Sequence, residues 1–76
     1  MDYIIFEAEI RKFKLRSNNE LIISLIRHDK LSKVIVSESN PNFESILNLI
    51  NNNCGENFMF KVVKNEVIDM RLVKYF

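Results

Sequence analysis

The chain has 76 residues, of which 47% are apolar and 28% are charged, and eleven Lys and Arg against ten Asp and Glu leave a net charge of +1. This composition is typical of a globular protein and excludes a disordered chain. It also excludes an overall basic excess, which is the source of non-specific nucleic-acid affinity in strongly cationic proteins. The length predicts one small α+β domain covering residues 1–76.

The single cysteine, Cys54, excludes an intramolecular disulfide and a cysteine-based metal cage. No apolar run reaches the roughly 18 residues of a membrane span, and the start of the chain lacks the basic residues of a signal peptide. We therefore expect a soluble, cytoplasmic protein with no membrane partner and no cofactor.

Residues 3–15 are predicted to form the first strand. Apolar residues occupy even positions up to Ile10 and odd positions from Phe13, so the period-two pattern slips once. A β-bulge near Arg11 and Lys12 explains the slip. A helix is the alternative, because Phe6, Ile10 and Phe13 also lie at helical spacing.

Four further strands are predicted at residues 21–28, 31–38, 58–64 and 67–75. Asp29-Lys30 and Asn65-Glu66 are short enough to be two-residue hairpin turns. In the last strand, the alternation places Ile68 on the core face and Val67 on the outer face.

One helix is predicted between the third and fourth strands. Asn40 is a suitable N-cap, and Pro41 fits the first helical position. Four apolar residues then recur at i, i+3, i+4 and i+7, which makes one apolar stripe: Phe43, Ile46, Leu47 and Ile50. Gly55, the only glycine, is predicted to stop the helix in a left-handed conformation.

The order β-β-β-α-β-β predicts an open antiparallel sheet of about five strands with one helix packed on one face. The other face would then expose apolar side chains, which predicts a protein partner. The residues assigned to this contact are Tyr3, Ile35, Val63, Val73 and Tyr75. Two alternatives are a homodimer across this face and a twisted sheet whose outer apolar residues are merely scattered.

A basic cluster offers a second function, nucleic-acid binding. Arg11, Lys12, Lys14 and Arg16 surround Phe13, and cations interleaved with an aromatic bind single strands by charge and stacking. A solvated strand end is the alternative.

No catalytic, metal or cofactor residue is predicted, and the chain is not expected to be an enzyme. His28 and Asp29 are neighbours on a strand and point to opposite faces, which is poor geometry for a catalytic pair. Glu7 and Glu9 share a face, but Arg11 follows on the same face and is expected to pair with Glu9.

One segment resembles a known family. Ile35-Val36-Ser37-Glu38-Ser39, continuing through Asn40 to Glu44-Ser45-Ile46, is similar to the strand-to-helix junction of a small phage anti-CRISPR family that inhibits the type II-A effector nuclease. The resemblance implies a phage protein that binds and inhibits a host CRISPR effector complex in the host cytoplasm. The family member is strongly acidic and mimics DNA, whereas this chain is near neutral, so no functional residues carry over.

Overall fold

The computed structural model describes residues 2–53 and 55–73, so Tyr75 and Cys54 lie outside the described residues. The elements follow one another in the expected order. They are β1 (Ile4–Leu15), β2 (Leu21–Arg27), β3 (Lys30–Val36), α1 (Phe43–Asn52), β4 (Asn57–Val63) and β5 (Glu66–Leu72).

The five strands close into a barrel in the order β1-β2-β3-β5-β4, and β1 pairs with both β2 and β4. All pairs are antiparallel except β3 and β5, which meet in parallel at Ile35 and Glu66. The expected open antiparallel sheet with a helix on one face is therefore wrong. Closure encloses one apolar interior and removes both sheet edges, which a single helix on one face of an open sheet does not do.

Strand β1 belongs to both halves of the barrel. Its first half pairs with β4 from Ile4 to Glu9, and its second half pairs with β2 from Glu9 to Leu15. The register shifts between Ile10 and Lys12, so Arg11 occupies the bulge that the slip in the apolar pattern predicts. A bulge bends and twists a strand, which allows β1 to pass from one partner to the other.

The core contains inward-facing residues from every strand, with Phe58 and Phe60 as its largest fully buried side chains. Helix α1 adds three buried residues, Phe43, Ile46 and Ile50, to the same core. Because the interior of a closed barrel is reached only through its ends, the helix covers an end of the barrel.

At the start of β5, the side chains that point into the core are not the predicted ones. The register between β4 and β5 shifts after Lys61, so that Val67 is fully buried and Ile68 is half-buried. The sequence alternation placed these two residues on the wrong faces because a bulge in β5 leaves no local apolar signal.

Both tight turns begin one residue earlier than expected. His28 and Asp29 have φ of 53° and 60°, and Lys64 and Asn65 have φ of 49° and 69°. Two successive left-handed residues make the type I′ turn, whose twist matches that of the flanking strands. Lys30 and Glu66, which the sequence assigned to turns, are paired strand residues.

The helix begins at Phe43, after Asn42, rather than at Pro41. Asn40 still organises the loop that precedes it. Its Oδ1 accepts the backbone N–H of Asn42 at 2.8 Å, and its Nδ2 donates to the carbonyl of Val67 at 2.8 Å. Asn40 thereby fastens the helix entrance to β5. Gly55 adopts the expected left-handed conformation, with φ of 94°.

Candidate functional site

Two rows of side chains cross the outer surface formed by the second half of β1 together with β2 and β3. Lys12 lies opposite Ser24, and Ser24 lies opposite Lys33. In the next row, Lys14 lies opposite Ile22. Directly opposed residues in a ladder project to the same face of the sheet. Three lysines from two non-neighbouring strands therefore share one surface.

These rows line a shallow groove of about 460 Å³, which we call the basic groove. Among the described residues, its lining contains four cationic residues and no carboxylate, and it consists of Lys12, Phe13, Lys14, Arg16, Ile22, Ser24 and Lys33. A concave surface lined by one sign of charge concentrates oppositely charged ligands.

The three groove lysines are exposed and form no ion pair within residues 2–53 and 55–73. Arg16 differs, since its Nη1 lies 3.6 Å from Oε1 of Glu20. An exposed ion pair of this kind is worth only about 0 to 1 kcal/mol, so Arg16 can exchange Glu20 for another anion at little cost.

The floor of the basic groove is neutral. Ser24 is 4% exposed and places a hydroxyl between Lys12 and Lys33. Phe13 is half-buried and packs against the core as well as lining the groove. The floor thus offers one hydroxyl and the apolar surface of Phe13 and Ile22 to a ligand.

The β4–β5 turn lies beside the β3 strand that borders the groove. The backbone N–H of Ile35 donates to the carbonyl of Asn65 at 2.8 Å. Lys64, the other turn residue, is exposed. Lys64 therefore follows β4 one residue before the carbonyl that bonds to β3.

The structure brings together three of the four residues that the sequence assigned to nucleic-acid binding. Lys12, Lys14 and Arg16 line the groove, whereas Arg11 occupies the bulge and its Nη1 pairs with Oε2 of Glu9 at 3.1 Å. Sequence reasoning missed Lys33. The register around the His28-Asp29 turn was the signal that could have placed it opposite Ser24.

Of the residues assigned to a protein contact, the structure brings Ile35 and Val63 close together and places Val73 far from them. Ile35 and Val63 both pair with Glu66, from opposite sides. The N–H of Val73 donates to the carbonyl of Asn57, at the other end of β4 from Val63 and about 20 Å away. Tyr3 is 50% exposed, and its ring lies 4.2 Å from Nζ of Lys61. Tyr75 lies outside the described residues.

The outer surface of the first half of β1 with β4 and β5, which we call the mixed face, has a different charge pattern. Arg11 pairs with Glu9, Arg71 lies 4.0 Å from Asp69, and Lys61 is directly opposite Asp69. Ile5 and Met59 are exposed on this face, beside a hollow of about 300 Å³. Cations and carboxylates therefore alternate here.

Within the described part of the chain, no three His, Cys, Asp or Glu residues are grouped so that they could hold a metal ion. His28 is exposed in the β2–β3 turn. The described residues contain no helix of the length and apolarity needed to cross a membrane.

No protein-family model matches the chain, and no curated protein and no solved structure matches it. The resemblance to anti-CRISPR proteins therefore stays a hypothesis. The class of the fold follows from its connectivity alone. A five-stranded closed barrel with parallel β3 and β5 and a helix between β3 and β4 has the topology of the oligonucleotide/oligosaccharide-binding (OB) fold.

Proposed function

We propose that this protein is a non-enzymatic module that binds single-stranded nucleic acid in the basic groove. The observation that carries the proposal is the segregation of charge. Lys12, Lys14 and Lys33 converge on one groove without a carboxylate, although the whole chain has a net charge of only +1. Unpaired cations in a concave surface are the sites at which phosphates displace counterions.

The position of the groove supports the same proposal. In OB-fold barrels, the β2–β3 face and the β1–β2 and β4–β5 loops bind oligonucleotides and oligosaccharides. The basic groove lies on that face, Arg16 stands at the β1–β2 connection, and Lys64 lies in the β4–β5 turn. Four cationic residues in the groove favour a polyanion over a neutral sugar. Because a fold hosts many functions, the charges carry more weight than the topology.

A fluorescence anisotropy titration with a labelled twelve-nucleotide oligo-dT tests the proposal. We expect the double variant Lys12→Ala/Lys33→Ala to bind about tenfold more weakly or worse, because two phosphate contacts are lost. The matched control, Lys61→Ala/Arg71→Ala, also removes two positive charges, but from the mixed face. It should bind within about twofold of the wild type. Equal losses in both variants, or no binding by the wild type, would contradict the proposal.

Protein binding is the second candidate function, as the sequence predicts. It is favoured by the half-exposed apolar segment of Tyr3, Ile4 and Ile5 beside exposed Met59. The two partners that follow from the sequence are a second copy of the chain and a CRISPR effector. Light scattering over a concentration series tests self-association, with Ile5→Lys as the disrupting variant and Leu31→Lys as the control. Unchanged DNA cleavage by a type II-A effector in excess protein would remove the inhibitor hypothesis.

A further inference from the structure

We infer that the basic groove binds the sugar-phosphate backbone and leaves the bases unread, so that the protein does not discriminate between sequences. This inference rests on the proposed function and specifies its mode of recognition. It follows from two features of the groove, which are the spacing of its cations and the chemistry of its floor.

The cations of the second half of β1, together with Arg16 just after it, have a spacing close to that of successive phosphates. Lys12, Lys14 and Arg16 alternate along the chain, and two residues of an extended strand span about 6.7 Å. This spacing is comparable to that between successive phosphates of an extended single strand. One strand of nucleic acid lying along the second half of β1 can therefore place a phosphate near each of these three residues.

Lys33 reaches the same strand of nucleic acid from the opposite side. It stands across Ser24 from Lys12, and two ladder spacings of roughly 5 Å separate their Cα atoms by about 10 Å. The flexible four-carbon stems of two lysines allow their ammonium groups to converge over the Ser24 hydroxyl. Lys12, Ser24 and Lys33 thus form a clamp for one phosphate.

The floor offers little to a base. Sequence-independent stacking needs an exposed aromatic ring, and the one aromatic residue lining the groove, Phe13, also packs against the core. Asn or Gln reads an adenine edge and a carboxylate reads a cytosine edge, and the described residues of the groove lining include none of these. Lys and Arg can also read guanine, but in this mode the groove cations bind phosphates. Ile22 contributes only aliphatic surface.

The number of cations sets the salt dependence. Because Lys12 and Lys33 share one phosphate, two phosphates are neutralised if Arg16 stays with Glu20, and three if it does not. This predicts a slope of log affinity against log salt of about −1.4 to −2.1. Affinity should then fall about 7- to 20-fold between 50 and 200 mM salt.

An abasic oligonucleotide tests the inference directly. Anisotropy titrations compare labelled twelve-nucleotide strands of oligo-dT, of mixed sequence, and of abasic tetrahydrofuran units, all at 50 mM salt. We expect the three affinities to agree within about threefold, and Lys12→Ala/Lys33→Ala to weaken all three by the same factor. Phe13→Leu, with its fold checked by circular dichroism, should change the affinities for oligo-dT and for the abasic strand by the same factor, because no base stacks on the ring.

The outcomes separate the inference from the function on which it rests. If oligo-dT binds and the abasic strand binds more than tenfold more weakly, the bases are read, and the inference fails while the proposed function stands. A folded Phe13→Leu variant that loses tenfold affinity for oligo-dT and none for the abasic strand would overturn it in the same way. If none of the three strands binds, both the inference and the proposed function fail.

Discussion

The basic groove and the mixed face are two outer surfaces of the same barrel, and both are built on β1. On the mixed face, Arg11 and Arg71 each lie within 4.0 Å of a carboxylate. In the basic groove, the lysines of β1 and β3 have no acidic neighbour in the lining. The comparison teaches that a net charge near zero does not describe a surface, because cations and carboxylates that cancel in the sum can stand on different faces.

The basic groove and the mixed face can be two sides of one barrel only if they share a single apolar core. The substitution with the largest expected effect on stability tests whether they do. Phe60 is fully buried, whereas Met59, the preceding residue of β4, faces outward and is 37% exposed on the mixed face. Phe60→Ala should lower the free energy of unfolding by about 3 to 5 kcal/mol, because it leaves a cavity in the shared core. Urea denaturation followed by far-ultraviolet circular dichroism measures the change.

Met59→Ala is the control for that experiment, and it should cost less than about 1 kcal/mol because its side chain is partly solvated already. Equal losses from both substitutions would mean that the interior is not shared in the way the barrel requires.

The second prediction gives the basic groove the charge pattern of the mixed face. Ser24→Asp places a carboxylate between Lys12 and Lys33. It should lower oligo-dT affinity by at least about tenfold, because the lysines then neutralise an internal anion instead of a phosphate. Ser24→Asn has the same size without the charge and should keep most of the affinity. Anisotropy at 50 mM salt measures both, and similar losses would assign the effect to size alone.

The smallest expected effect concerns how far the basic groove extends toward the β4–β5 turn. Lys64 has a left-handed backbone with φ of 49°, which Asn adopts more readily than Lys. Lys64→Asn should raise the free energy of unfolding by about 0.5 kcal/mol and lower affinity about twofold, since one cation is lost. Urea denaturation and anisotropy measure the two quantities.

His28→Asn is the matched control, because His28 has the same backbone conformation, with φ of 53°, in the turn at the other end of β3. It should stabilise the protein to a similar extent and leave the affinity unchanged. If Lys64→Asn also leaves the affinity unchanged, the basic groove does not extend beyond β3 to the β4–β5 turn.

Local features of this fold could be predicted where the signal lies within a few residues. The slip between Ile10 and Phe13 predicts the bulge at Arg11, and the stripe from Phe43 to Ile50 predicts the helix. The predicted positions of both turns were wrong by one residue. The reason is that His28 and Lys64 occupy left-handed positions at which type I′ turns usually have Gly or Asn. The inward orientation of Val67 depends on a bulge in β5 that alternation does not indicate.

The sequence likewise predicts one part of the candidate site and not the other. The run from Lys12 to Arg16 is visible in the sequence as a basic cluster, and three of its cations line the groove. Lys33 and Ser24 join them only through the ladders that connect β1, β2 and β3. Arg11 does not line the groove, because it lies in the bulge of β1 and forms an ion pair with Glu9.

The sequence by itself determined the order of the elements, the bulge in β1 and the amphipathic helix. Each of these depends on the periodicity of side chains over a short stretch of neighbouring residues. Closure of the barrel was decided by the tertiary structure, because it requires Ile4 to pair with Val62 and Ile35 to pair with Glu66, and periodicity contains no information about such distant partners. The same long-range pairing decided which charges share a face. In a chain with a net charge of +1, that pairing gathers four cations in the basic groove.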